Sequence, residues 1–390
     1  MKDLSRGWVL TTVLLFLLLS FTNDAFAVQN HRFWYDADFA ALYDDNVYKD
    51  INSYIAAAYD FNLAGGVRSK LAGNTYSGLQ GVLNTVTYAD YSYENIISGE
   101  FKTFLKHRIS DYVTLDIAAS LATSAYPASA DFNTAKLAAG PYLTWYVLDY
   151  TSLKAGMEYT SSLYPNYDLD SLGPVCFVGL DQELGLYSSA SLSLSLGSYE
   201  YSERSKYALL GGSMVLLDEK RLDRYSRLDA SVSRSISRSL SASVFAGYQV
   251  YDSSGNYFDW GPSQWEGNDI TISDNAVIED YYSYSDLTGG VRVSLSLKKA
   301  VAVNASFSAG KRNYPGRPAK DELGALLTPG VLRSDTVIRL SAEVSKSLFK
   351  AGPLGSAGLS VRYNYDGLST NDAYYNYANN TVGVSMTFWR

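Results

Sequence analysis

The chain has 390 residues, a formal charge of −8 and one cysteine, Cys176. The acid excess argues against nucleic acid as a partner, and a lone cysteine excludes an intrachain disulfide. The two histidines, His31 and His107, lie too far apart for a paired-histidine metal motif.

The first element is a leader. Lys2 and Arg6 precede an apolar run from Trp8 to Leu19, broken only by Thr11 and Thr12. Ala25-Phe26-Ala27 then supplies a small-x-small cleavage site, so residues 1–27 read as a secretory signal peptide and Val28 as the mature start. No later apolar stretch reaches the length of a membrane helix.

From residue 28 to 390 the dominant pattern is polar/apolar alternation, which gives each strand two unlike faces. Phe33-Tyr35-Ala37-Phe39-Ala41 is one apolar face, with Asp36 and Asp38 opposite. Asp44-Asp45-Asn46 signals a turn, Ile55 to Leu63 returns, and Gly65-Gly66 reads as a tight connection. Further strands are expected near 77–90 and 93–106. Val113-Leu115-Ile117-Ala119 follows, and then Leu137 to Val147, where Pro141 predicts a bulge or local break because it cannot donate to a ladder.

Leu153 to Tyr159 and a segment at 175–185 come next, with Cys176 outward beside Val178 and Leu180. Ser191-Leu192-Ser193-Leu194-Ser195-Leu196 is the cleanest alternation, and it runs on to Tyr201. Residues 207–217 read either as an extra strand or as a loop that folds over or into the pore. The later strands are Leu228-Ala230-Val232, Leu240 to Tyr248, Leu287 to Leu297, Val301 to Phe307, Ile338 to Val344, Leu359 to Tyr365 and Val382 to Phe388. Lys298-Lys299 and Lys350 to Pro353 mark turns between some of them.

These segments predict an all-β fold: a transmembrane antiparallel up-and-down β-barrel of about sixteen strands, within a range of roughly 14–18. Short turns near 109–111, 149–151, 186–189, 237–239, 298–300 and 350–355 alternate with long loops near 202–222, 253–280, 313–333 and 366–379. Such barrels keep short turns inside and long loops outside, which puts both chain termini on the periplasmic side. The abundance of Tyr, 34 in all, suits a membrane interface. Tyr281, Tyr282, Tyr284 and the run Tyr374 to Tyr377 are expected in an outer girdle, with an aromatic track for sugars as the alternative.

Alternation assigns Arg227, Asp229, Arg292, Arg312, Arg339, Glu343 and Arg362 to the inner face as pore-lining candidates. Opposed charges in a narrow channel create a transverse field that selects solutes by charge. No G-x-S-x-G elbow, nucleotide loop or metal motif occurs, so no enzyme, cofactor or metal is expected.

The leader, the alternation and the end Thr381 to Arg390 resemble the Gram-negative outer-membrane β-barrel superfamily, porin-like in pattern. The terminal apolar face closes on Phe388, with Trp389 and Arg390 after it, where relatives end on the aromatic residue that the barrel assembly machinery reads. The resemblance implies an outer-membrane location among lipid and lipopolysaccharide. Ala41 to Val47 also resembles the first hairpin of exopolysaccharide or surface-lipoprotein export barrels. The leading expectation is a channel for small hydrophilic solutes. The alternatives are an export barrel with periplasmic partners, and a structural or adhesive surface barrel without an open pore.

Overall fold

A computed structural model describes residues 30–389, apart from 50–52, 72, 167–168, 211–212, 259–263, 267–268, 272–276, 298–299, 322–325, 328–329 and 352–354. The leader 1–27 and the Lys298-Lys299 turn therefore lie outside the described residues.

The strands in chain order are β1 (Asn30–Asp44), β2 (Ala56–Lys70), β3 (Thr75–Tyr88), β4 (Ile96–Arg108), β5 (Val113–Ala125), β6 (Thr134–Leu148), β7 (Thr151–Leu163) and β8 (Ser171–Glu183). Next come β9 (Ser188–Leu210), β10 (Ser213–Ser235) and β11 (Leu240–Ser253). The short strands β12 (Tyr257–Phe258), β13 (Gln264–Glu266), β14 (Asp269–Thr271) and β15 (Val277–Ile278) belong to one outer connection. The chain ends with β16 (Tyr284–Leu297), β17 (Val301–Pro318), β18 (Leu332–Ala351), β19 (Gly355–Thr370) and β20 (Tyr377–Trp389).

Among the described residues sixteen strands, β1–β11 and β16–β20, form one closed antiparallel barrel in sequence order. Closure is made by β1 against β20, from Asp36↔Trp389 to Asp44↔Thr381. Many strands are 13–15 residues long. At about 3.3 Å per residue and a tilt near 40°, that length crosses the roughly 25 Å apolar band of an outer membrane.

Register explains the two faces. Val178, Leu194, Leu228, Tyr248 and Leu287 occupy one continuous cross-strand row on the outside. Each keeps more than a third of its side chain exposed, as a lipid-facing residue must. The buried apolar residues are few and mostly small: Ala40, Val47, Ala56, Ala58, Val175, Tyr314, Ala319 and Ala357. No cluster of buried Leu, Ile or Phe fills the barrel among the described residues. Exposed Tyr112, Trp145, Tyr150 and Tyr187 mark the short-turn rim, and Tyr43 and Tyr59 the opposite one.

Several local expectations change. Gly65 and Gly66 do not turn the chain; they sit inside β2, opposite Tyr35 and Trp34. A Cβ on Gly66 would stand 2.8 Å from the Trp34 indole nitrogen, so the glycine makes room for that ring across the strand. Pro141 causes a local break and no bulge. The register of β6 with β7 is the same on both sides of it, from residue 135 to 146, with the pairings of 140 and 141 missing; the one register shift lies at the turn end, between Tyr146 and Leu148.

The stretch 202–222, expected as a long loop, instead continues β9 and β10 as a hairpin of two 23-residue strands. Ion pairs Lys206–Glu219 and Lys220–Glu200 brace it, and register shifts near Lys220 mark where it leaves the regular ladder. Among the described residues it adds no seventeenth strand to the barrel. Within the stretches 313–333 and 366–379, strands run further than expected: β17 to Pro318, β19 to Thr370 and β20 from Tyr377. The stretch 253–280 forms a connection with two small two-stranded sheets, β12–β15 and β13–β14.

The two faces should respond oppositely to charge. Leu194→Arg, on the lipid side, is expected to lower the stability of the vesicle-inserted barrel by about 2–4 kcal/mol. Ser193→Arg, on the inner side, should cost far less. Reversible urea unfolding from lipid vesicles reads both, and equal losses would contradict the assigned register.

Candidate functional site

The inner wall holds the ionisable residues. Strand parity directs Arg227 and Asp229 inward on β10, opposite the outward Leu228, and they form a same-strand pair two residues apart. Arg227 donates through Nε at 2.7 Å and Nη2 at 2.9 Å to the Asp229 carboxylate. Arg312 on β17 donates twice to Asp286, its direct partner on β16, at 2.9 and 2.7 Å. Arg362 on β19 does the same to Glu343, its direct partner on β18, at 2.9 and 2.8 Å. Arg339 lies opposite Asp366 at 3.3 Å, and Lys49 from the first outer loop reaches the same carboxylate at 2.8 Å.

Arg292 differs from the other candidates. Its guanidinium lies over the Phe245 ring, 4.7 Å from the centroid, and has no hydrogen bond or ion pair among the described residues. Arg227, Arg339 and Arg362 keep 52, 64 and 49% of their side chains exposed. These cations keep about half or more of their surface uncovered although they point into the barrel, so protein packing does not fill the space around them. On the other half of the wall, Lys106–Asp116 and Lys102–Glu100 are further ion pairs.

The outer mouth carries a second layer that sequence reasoning missed. Arg221 and Asp223 on β10 are buried and bidentate, at 2.9 and 2.7 Å. The Tyr251 and Ser253 hydroxyls also donate to Asp223. The Arg221 guanidinium is stacked with Tyr201 of β9 and with Tyr282 of the 254–283 connection. Arg333 and Asp335 on β18 repeat the arrangement at 2.8 and 3.0 Å, with the Tyr314 hydroxyl donating to Asp335. Arg333 is stacked with Tyr314 of β17 and with Tyr375 of the 371–376 connection.

Arg317 stands among Tyr281, Tyr314 and Tyr375 and so links the two connections. Asn256 ties the longer one to the β9–β10 hairpin, donating to the Tyr207 carbonyl at 2.8 Å and to Glu279 at 3.0 Å. Tyr281, Tyr282 and Tyr375 are therefore arginine-stacking groups at the mouth, not members of a lipid girdle. Tyr284 and Tyr377 also face inward: Tyr284 stacks on Tyr251, and the Tyr377 hydroxyl donates to Asp366. Tyr374 has no described side chain. One signal was present in the sequence: Arg-x-Asp occurs at 221–223, 227–229 and 333–335, and that spacing puts both charges on one face of a strand.

Asp372, beside this mouth cluster, is buried, with its carboxylate 3.9 Å from the second Arg333 nitrogen and one oxygen lacking a partner. Burial holds its pKa above the usual carboxylate range, against the opposing pull of Arg333 and Arg317.

No protein-family model matches the chain, and no curated protein matches it. Among solved structures it is similar to OccAB1 of Acinetobacter baumannii, at 11% identity over 93% of this chain and 97% of that one, with a TM-score of 0.51. The fold is that of a porin-like outer-membrane β-barrel. OprD of Pseudomonas aeruginosa matches at 9% identity, covering 93% of this chain and 97% of that one, with a TM-score of 0.47. A bacterial polysaccharide outer membrane secretin matches at 12% identity, covering 91% and 97%, with a TM-score of 0.42. At these identities the likeness is one of architecture. The apolar outer belt is that of a barrel whose outside faces lipid.

Two outcomes follow for the mouth. Arg333→Ala leaves Asp335 buried without its cation, and should destabilise the outer end by about 3–5 kcal/mol in urea unfolding. A raised carboxylate pKa means that ionised Asp372 costs stability, and that this cost disappears as pH falls below the unfolded value. Hydrogen exchange in residues 371–376 should therefore be no faster at pH 4 than at pH 7, after correction for intrinsic rates. Marked acceleration on acidification would oppose this account.

Proposed function

We propose that the barrel is an open channel for small hydrophilic solutes. The observation that carries this reading is the exposure of ionised side chains on an inner wall that encloses no apolar core. A sixteen-strand barrel is wide enough for an aqueous bore. A polar solute exchanges bulk water for hydroxyls and charges on the wall, whereas an apolar solute gains nothing by entering.

Most of the wall's arginines have an acid within hydrogen-bonding distance, so the wall presents oriented dipoles more than net charge. Such dipoles turn a passing polar solute and hold back one of the wrong shape. The Arg–Tyr stacks support a second element of the proposal. They hold the 254–283 and 371–376 connections to the barrel wall, so that the mouth has a defined width. No catalysis, cofactor or metal enters this reading. The partners it requires are the surrounding lipid and lipopolysaccharide, the assembly machinery that inserts the barrel, and the solute.

Single-channel recording of the refolded mature chain in a planar bilayer tests it. Steady, ohmic openings are expected. Arg362→Gln leaves the Glu343 charge uncompensated and should shift the reversal potential under a KCl gradient toward cation selectivity; Glu343→Gln should shift it the other way. A folded barrel that never conducts would overturn the reading and favour a closed export or surface barrel.

A further inference from the structure

The short-turn end of the inner wall contains a pocket of about 460 Å³, lined in part by Glu183, Ser233, Arg234, Ser243, Arg292 and Ser294. Its origin is visible in the chain. The lower ends of β9, β10, β11 and β16 alternate serine with apolar residues, and the serines take the inner face. Register then collects them: Ser233 pairs with Ser243, Ser243 with Arg292, and Ser241 with Ser294. Directly opposed residues have Cβ atoms about 5 Å apart, so these hydroxyls and the guanidinium form one patch.

The patch has donors to spare. Arg292 has no hydrogen bond or ion pair among the described residues, and neither do the side chains of Ser233, Ser243 and Ser294. This contrasts with Arg227, Arg312, Arg339 and Arg362, each matched to a carboxylate. The Phe245 ring centroid lies 4.7 Å from the Arg292 guanidinium carbon, and no acceptor among the described residues takes up the guanidinium N–H donors. Glu183 is the one carboxylate among the residues that line the pocket, and Arg292 is the guanidinium that strand parity turns inward there; Arg234, at the rim, shares the outward parity of Leu228. A planar fork of N–H donors beside several rotatable hydroxyls matches a compact oxyanion, whose oxygens accept several bonds at once.

We propose that this pocket is a binding station for a phosphate- or sulfate-sized oxyanion, free or carried as a monoester, at the periplasmic end of the bore. The proposal deepens the channel reading and rests on it for the ligand's route; binding itself needs no conduction. Arg292 supplies the charge, and Ser243 and Ser294 fix the orientation.

The test is phosphorus NMR line broadening of inorganic phosphate by the detergent-folded mature barrel, titrated to saturation, with a hexose phosphate as a second arm. Saturable broadening is expected, displaced by sulfate and not by equimolar chloride. Arg292→Gln should weaken binding by about tenfold or more, the scale of a charge-assisted hydrogen bond. Ser243→Ala should weaken it by a few-fold, and Arg292→Lys, which keeps the charge and loses the fork, by an intermediate amount. Arg238→Gln, in the exposed β10–β11 turn, should bind as the parent does. Tighter binding of the hexose phosphate would mean that the group arrives on a sugar.

No saturable binding, or binding indifferent to both Arg292 variants and to Ser243→Ala, would overturn the proposal. Conduction without phosphate binding would reject the station alone. Phosphate binding without conduction would reject the open-channel reading alone.

Discussion

Every backbone N–H and C=O within the hydrocarbon must find a partner inside the protein, because no water is there to supply one. An open sheet fails this condition at both edges, so the structure depends on the seam between β1 and β20. Backbone pairing joins residues 36–44 to 381–389. Side chains reinforce it from the inner face: the Thr387 hydroxyl donates to Asp38 at 2.6 Å, and the Ser360 and Ser385 hydroxyls lie 2.8 Å apart one strand away. Asn46 donates to the Ala378 carbonyl at 3.1 Å near the outer end.

Closure inverts the usual logic of a globular core. Apolar residues face lipid, and polar residues line the interior. What remains for the interior is electrostatics. A charge on the wall can be stabilised by solvent, by a neighbouring acid or by an aromatic ring, and the structure shows the last two. Direct cross-strand pairing matches Arg362 with Glu343 and Arg312 with Asp286; stacking on tyrosine joins acid pairing at Arg221 and Arg333. The Arg–Tyr stacks also tie two long connections to the wall. Arg292 stands apart because the positions opposite it, Ser243 and Ser306, are both neutral.

Much of this architecture was legible in the chain. Alternation is a local property with a period of two, so Ser191 to Leu196 declares its two faces without any knowledge of its neighbours. The inward assignment of Arg227, Arg292, Arg312, Arg339, Glu343 and Arg362 follows from the same count. The hairpin at 202–222 was harder. Its polar residues alternate poorly, and only the ion pairs between β9 and β10 show why it remains extended.

The sequence by itself determined strand identity, the approximate strand number, the lipid-facing set and the inner-facing set, because each depends on residues one or two positions apart. Tertiary structure decided which inner charges meet. The Glu343–Arg362 pair spans 19 positions in sequence, and the Tyr375 ring over Arg333 spans 42 positions. Such contacts depend on interstrand register and on how the connections fold back, which strand periodicity does not encode. For the same reason Tyr281, Tyr282 and Tyr375 resemble a membrane girdle in one dimension and act as arginine-stacking groups in three.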